Sequence, residues 1–398
     1  MKNLSKRALN ISPSATLAVS ARAKELRTSG IDVVAFGVGE PDFDTPDYIK
    51  KSAIEAIDAG CTKYTPAVGT PELKKAIADK FQKDNGLTYD PSQVVVCNGG
   101  KHVVFNVIYV LCEEGDEVIL PSPYWVSYIE QIKLAGATPV IVEGTEENGL
   151  RITAEQLDAA ITDKTKLMIL NSPSNPTGMI YSPKELEEIA EVVAKRDIYV
   201  LSDEIYEKLV FGDATHVSIA SLGKEIFDRT ITMNGVSKTY AMTGWRIGYA
   251  AGPKDIMSAI AKVQGHTTSN PNSIAQKAAL TAICSDDSAV NLMKAEFDKR
   301  RRYVVDRLNA MPGISCLEPE GAFYAFPNVS GLYGKSFNGE TVSNSIEFAQ
   351  VCLEQGHTAL VPGSAFGADD CVRVSYATSM EEITKGMDRI EKLARSAS

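Results

Sequence analysis

Lys238 stands in Met233-Asn234-Gly235-Val236-Ser237-Lys238-Thr239-Tyr240, a glycine- and hydroxyl-bearing stretch behind a β-branched run. An amine held in such a loop can serve as a nucleophile and, when neutral, as a base. Arg246 follows within Thr243-Gly244-Trp245-Arg246-Ile247-Gly248-Tyr249. Both cations can be solvated surface charges, but Trp245, Ile247 and Tyr249 crowd the arginine with apolar bulk, so its guanidinium is expected to need an anion such as a phosphate. Asp203 ends the run Tyr199-Val200-Leu201-Ser202. A carboxylate there is buried unless it meets a cation, for example a protonated ring nitrogen, although Asp203-Glu204 can also simply cap a helix. Tyr206 follows within the same segment, where its hydroxyl can donate to a bound ring's oxygen. Gly99-Gly100-Lys101-His102 closes one strand and opens a helix, so its free N–H groups can hold a phosphate; an ordinary strand-to-helix turn looks the same. Arg373 lies in Cys371-Val372-Arg373-Val374-Ser375-Tyr376, on the alternation face of Cys371 and Ser375. It reads either as a plain edge-strand arginine or as a fork aimed at a carboxylate.

Positioning these side chains takes a regular scaffold. Seven short β-branched runs qualify as buried strands: 93–97, 117–120, 138–142, 166–170, 198–201, 230–233 and 246–250. Helical segments separate most of them, which predicts a mostly parallel sheet wrapped by helices, the α/β class. Thr45-Pro46, Thr70-Pro71 and Ser182-Pro183-Lys184-Glu185 are helix-start signals, and Gly60 and Gly86 are stops. The chain is expected to divide into a large domain over 46–285 and a smaller α+β domain made of 1–45 with 286–398. Within the latter, strands are expected at 323–326 and 372–375, and a final helix buries Ile383, Met387, Ile390 and Leu393. Polar residues cluster just beyond the strands, where open parallel sheets bind ligands.

Bulk properties narrow the class. With 398 residues, 44% of them hydrophobic, a large core is within reach. The 41 basic and 51 acidic residues leave a net charge of −10, and the longest basic run is Lys299-Arg300-Arg301-Arg302, which argues against nucleic-acid binding. Seven cysteines without metal-ligand spacing read as free thiols of a reducing, cytoplasmic compartment, and no metal site is expected. Nothing approaches the ~20 apolar residues of a membrane span, and no apolar leader follows the first residues, so an unexported protein off the membrane is expected.

Taken together, these segments resemble the fold-type I pyridoxal-phosphate (PLP) aminotransferases of class I, most closely the bacterial-type aspartate aminotransferases of subgroup I-beta. The match runs end to end. It is carried by Ser14-Ala15-Thr16, Gly39-Glu40-Pro41-Asp42-Phe43-Asp44-Thr45-Pro46, Lys63-Tyr64, Gly99-Gly100-Lys101 and Pro121-Ser122-Pro123-Tyr124-Trp125-Val126-Ser127-Tyr128. Further along come Asn171-Ser172-Pro173-Ser174-Asn175-Pro176-Thr177-Gly178, Ser202-Asp203-Glu204-Ile205-Tyr206, Ser237-Lys238, the Arg246 segment, Gly321-Ala322-Phe323-Tyr324 and Arg373.

The resemblance implies roles. Lys238 is similar to the lysine that binds PLP as a Schiff base and later shuttles a proton. Asp203 resembles the partner of the pyridinium nitrogen, Tyr206 and Asn175 the donors to the phenolate oxygen, and Trp125 the ring stacked on the cofactor. Gly99, Gly100, the Lys101 backbone, Ser237 and Arg246 resemble the phosphate cradle, with Tyr64 reaching in from the partner subunit of a homodimer. Arg373, with Asn175 and the Gly39 backbone, resembles the clamp on the substrate α-carboxylate. The Lys101 ammonium with the Thr16 hydroxyl is similar to the group that meets a side-chain carboxylate, and 265–271 carries no arginine that would replace it. The Asn175–Pro176 bond is implied as a cis peptide.

The activity so implied is transfer of the amino group of aspartate to 2-oxoglutarate in two half-reactions, yielding oxaloacetate and glutamate. Two positions depart from the pattern. Gly235 stands where many relatives carry a phosphate-binding serine, and Ser12 stands before Pro13 where members that also use prephenate carry a basic residue. Ser12 counts against prephenate, which is kept as a secondary substrate only, and aromatic or other amino acids complete the alternative range. A dinucleotide oxidoreductase is disfavoured because no GxGxxG follows the early strands, and a non-catalytic regulator because the match begins by Ser14.

Overall fold

In the computed structural model, which describes residues 4–398, the seven expected runs form one sheet. Its spatial order is Val94–Cys97, Gly248–Ala251, Thr230–Gly235, Tyr199–Asp203, Thr165–Asn171, Glu117–Ser122 and Thr138–Glu143. Gly248–Ala251 runs antiparallel to both neighbours, and all other pairings are parallel. Alternation explains how both faces are buried. Val118, Leu120, Leu167, Ile169 and Leu201 point into one apolar cluster, while Ile119, Met168, Leu170 and Val200 point into another with Leu186, Ile189 and Val193 of helix Pro183–Arg196.

Local signals hold at most helix starts. Ser182 and Glu185 form a capping box, and Thr70 caps Pro71–Asn85, which stops at Gly86 with φ 69°. Thr45 behaves otherwise. Its hydroxyl donates to the Ala241 carbonyl at 2.6 Å and accepts from Trp245 Nε1 at 2.9 Å, so helix Asp47–Asp58 starts at Pro46 without a side-chain cap. A tertiary contact took the group that the local pattern assigned to capping.

The C-terminal part forms a three-stranded antiparallel sheet with Val372–Ser375 between Val361–Pro362 and Tyr324–Ala325. Arg373 is thus on a central strand, and the edge-strand reading is corrected. The strand expected over 323–326 is reduced to Tyr324–Ala325. Ile383, Met387, Ile390 and Leu393 of helix Met380–Ser396 are buried as their spacing required. Val34–Ala35 pairs in parallel with Thr358–Ala359, and Phe36 accepts from the Ser375 N–H at 2.9 Å, which joins this N-terminal strand to the same unit. Half of the basic run is turned inward: Arg300 and Arg301 are buried and paired with Asp42, Glu296, Asp298 and Glu318. No helix among the described residues is long and apolar enough to cross a membrane.

Candidate active site

A cavity of about 470 Å³ opens beyond the carboxyl ends of the sheet strands, closed on its far side by Arg373 and Tyr324. Gly100, Lys101, Trp125, Asn175, Asp203, Tyr206, Ser237, Lys238, Arg246, Thr16, Gly39 and Arg373 all line it, so loops from four strands do converge. Gly99 lies directly behind, against Arg246. Tyr64 does not line it; that side chain is 90% exposed on the protein surface.

Asp203, at the end of its strand, is 3% exposed. Its carboxylate accepts from the Tyr128 hydroxyl at 2.6 Å and from the Ile205 N–H at 3.2 Å. Burial pushes its pKa up to about 6, and the Tyr128 bond pulls against that rise. Behind it, Glu204 has its charge met from within by the Ser202 and Ser218 hydroxyls and by His216 Nε2, and Glu207 by Lys80 and Asn85. Lys238 donates from Nζ to the Gly39 carbonyl at 2.6 Å, and burial lowers its pKa to about 8. A small but useful fraction of this amine, about a tenth at pH 7, is therefore neutral and nucleophilic, far more than for an ordinary lysine.

The far wall is equally fixed. Arg373 is 2% exposed and donates to Asn175 Oδ1 at 2.9 Å and to the Gly37 carbonyl at 2.8 Å, while its buried Nε has no partner. Its guanidinium lies 4.6 Å from the centre of the Tyr324 ring, and the Tyr324 hydroxyl meets that of Tyr206 at 2.9 Å. A Cβ at Gly39 would come within 2.8 Å of this Tyr324 hydroxyl, so only glycine admits the approach.

Arg246 corrects two expectations. It lies outside the strand, at φ 56° after a 3₁₀ turn, and it is exposed rather than enclosed by Trp245 and Ile247. The left-handed turn swings its guanidinium over Gly99, where a Cβ would stand 2.4 Å from Nη2. Helix Gly100–Leu111 begins at the same spot, leaving the N–H groups of Gly100 and Lys101 without a carbonyl one turn earlier. Lys101 reaches over the Trp125 ring, with Nζ 5.0 Å from its centre; partial desolvation and then the Arg246 charge lower its pKa. Thr16 pairs its hydroxyl with Ser14 at 2.9 Å. The Asn175–Pro176 bond is trans: residues 175–177 make one helical turn closed by Gly178 N–H to the Ser174 carbonyl, and the cis bonds are Ser122–Pro123 and Ser172–Pro173.

Sequence reading gave no role to Tyr128 or Tyr324, although both sit in motifs it singled out. Tyr128 follows Trp125 by one helical turn, and the two rings meet edge to face at 5.2 Å. That i, i+3 spacing was the available signal.

Residues 31–390 match the family "Aminotransferase class I and II". The chain is 51% identical to an aspartate aminotransferase of Geobacillus stearothermophilus, over 98% of each, and 48% identical to an aspartate/prephenate aminotransferase of Cereibacter sphaeroides, also over 98% of each. Its fold superposes on the crystal structure of the aspartate aminotransferase from Rhizobium meliloti with a TM-score of 0.97, at 42% identity over 100% of both chains. For the Thermus thermophilus aspartate aminotransferase with maleate the TM-score is 0.93, at 40% identity over 99% of this chain and 100% of that one. The chain belongs to the class I and II aminotransferases and is a PLP-dependent enzyme.

The cavity fits that cofactor chemically. The Arg246 guanidinium and a helix start at Gly99–Gly100 suit a phosphate, and the buried Asp203 lacks the cation that a ring nitrogen would supply. The Lys238 amine, its pKa lowered, suits an aldehyde.

Proposed function

We propose that the chain transfers the amino group of L-aspartate to 2-oxoglutarate, giving oxaloacetate and L-glutamate. The observation that carries this is a lysine of lowered pKa in one cavity with two cationic side chains from different elements, Arg373 on the central strand of the C-terminal sheet and Lys101 in the first turn of helix Gly100–Leu111. A dicarboxylic amino acid spans such a pair. Relatives named aspartate aminotransferase, and the relative solved with maleate, a dicarboxylate, support the substrate class.

PLP would be held by Lys238, Asp203, Trp125, Asn175, Tyr206, Gly99, Gly100, Lys101, Ser237 and Arg246, and when bound it supplies the electron sink that stabilises a carbanion at the substrate α-carbon. The chain supplies the rest. Arg373 and Asn175, with the Gly39 segment, hold the α-carboxylate; Lys101 and Thr16 hold the distal one. Lys238 Nζ takes the proton from the α-carbon of the amino donor and would relay it to the cofactor, and in the second half-reaction it delivers a proton to the α-carbon of the acceptor, a task that suits an amine whose pKa is near the working pH. Asp203, kept from water and fixed by Tyr128, holds the charge of a cationic ring nitrogen.

Tyr64 completes the cradle of the partner in a homodimer, a reading supported by its exposure outside its own cavity. Residues 46–285 act as the large domain, and 1–45 with 286–398 as the small one. A cytoplasmic, I-beta-type enzyme is supported by seven free cysteines and by the Lys101 arrangement. A second reading, use of prephenate or aromatic amino acids, draws on relatives named aspartate/prephenate aminotransferase and on Leu17 and Val38, which give the cavity an apolar margin.

Purified holoenzyme should be yellow and should bleach when aspartate is added, with colour returning on 2-oxoglutarate. A spectrum that responds to alanine or tyrosine but not to aspartate would defeat the substrate assignment.

A further inference from the structure

Tyr64 sits in the loop 59–70, between helices Asp47–Asp58 and Pro71–Asn85. A loop tied only at its ends samples many positions, and ordering it on contact weakens whatever its tip binds. Here two buried glutamines grip it from behind. Gln276, 1% exposed, donates from Nε2 to Thr65 Oγ1 at 3.0 Å and to the Pro271 carbonyl at 2.8 Å, and accepts from the Thr70 N–H at 2.9 Å. Gln264, 0% exposed, donates to the carbonyls of Ala67 at 2.6 Å and Val96 at 2.8 Å, and accepts from Asn106 Nδ2 at 3.2 Å. The Ser273 hydroxyl holds the Cys61 carbonyl at 2.7 Å, and the Val96 N–H holds that of Val68 at 3.0 Å. Both amide N–H groups of each glutamine are used, so neither side chain can lose its amide without leaving buried polar groups unpaired.

A loop fixed this closely from within, whose exposed aromatic hydroxyl lies outside its own cavity, is built to present that residue to another surface. We infer that Gln276, and Gln264 with it, are positioning residues for cofactor binding in the opposite subunit, holding Tyr64 where it meets the partner's phosphate cradle. This rests on the reading of Tyr64 given under the proposed function. The two glutamines differ in reach. The hydrogen bonds of the Gln276 amide go to the loop and to the approach to its own helix, whereas Gln264 also holds Val96, in the strand that leads to the chain's own Gly99–Gly100 turn. Gln276 therefore acts across the interface alone, and Gln264 acts on both sites.

The test measures release of lysine-bound coenzyme from holoenzyme dimers, followed by its absorbance. Gln276→Leu should loosen the coenzyme about tenfold, the scale of one hydrogen bond to a charged group, and Tyr64→Phe added to it should cost nothing further. In mixed dimers of a Gln276→Leu chain with a Lys238→Ala chain, the one site that keeps Lys238 receives Tyr64 from an unaltered loop, so tight binding should return. The same pairing should rescue Gln264→Leu only in part. If Gln276→Leu does not fold, Thr65→Val removes one of its partners at a half-buried position and should give a smaller loss, rescued in the same way. Unchanged release in Tyr64→Phe removes the Tyr64 reading and this inference together. Faster release in Tyr64→Phe but not in Gln276→Leu, or a Gln276 loss that persists in the mixed dimer, overturns the positioning role alone.

Discussion

Along the floor of the cavity the polar groups are tied in buried pairs, Asp203 with Tyr128, Tyr206 with Tyr324 and Asn175 with Arg373, whereas along the rim Lys101 and Arg246 are exposed. The floor is preorganised: its charges are held where water cannot reorganise around them, which strengthens their action on a reacting centre. The rim keeps hydrated charges free to take up whichever anion arrives. Chemistry is thus expected to fail when the floor changes, and preference among substrates when the rim does.

The sharpest break is Lys238→Ala, which should lower turnover of aspartate by about 10⁴-fold or more while circular dichroism stays unchanged. A variant turning over at the normal rate would remove Lys238 from catalysis. Asp203→Asn should cost roughly 10²–10³ in kcat, yet it should stabilise the coenzyme-free protein. The folded pKa of about 6 lies above the ordinary 3.8, so the contribution of Asp203 to stability is complete below that lower value and is lost as pH rises through about 6. In urea titrations of coenzyme-free protein the variant should exceed the parent by about 3 kcal/mol at pH 8, with the gap closing towards pH 4. For Lys238 the sign reverses: its depressed pKa of about 8 makes its contribution complete above the ordinary 10.5 and lost as pH falls through about 8.

At the rim, Lys101→Ala should raise KM for aspartate about 10–100-fold, with a much smaller change for aromatic amino acids and little in kcat. Equal losses for both substrates would place Lys101 with the floor. The smallest effect is expected for Tyr128→Phe, a loss in kcat of about 2–10-fold. Because the Tyr128 bond lowers the Asp203 pKa, its removal should also move the acid limb of the pH–rate profile upward.

Most residues that line the cavity were legible because each is marked by its neighbours. A β-branched run ending in Asp203, a glycine pair opening a helix, and a lysine in a hydroxyl-rich loop are local patterns, and they also specified the seven strands and the helix starts at Thr70 and Ser182. Arg246 was found for the wrong reason. Its neighbours are apolar, but a turn at φ 56° leads it out to the rim, and no period-2 pattern reports such a turn.

What stayed hidden are the partnerships between distant segments. Tyr128 meets Asp203 across 75 residues and Tyr206 meets Tyr324 across 118, whereas the meeting of Arg373 with Asn175 across 198 was implied by the family resemblance alone. Thr45 was drawn from its helix to Trp245 in the same way. By itself the amino-acid order determined which groups stand at the ends of which strands, since propensity and hydrophobic period act over a few residues. Only the tertiary structure decided which of those ends face one another, because that depends on the order of strands in the sheet and on the packing of the C-terminal unit against it.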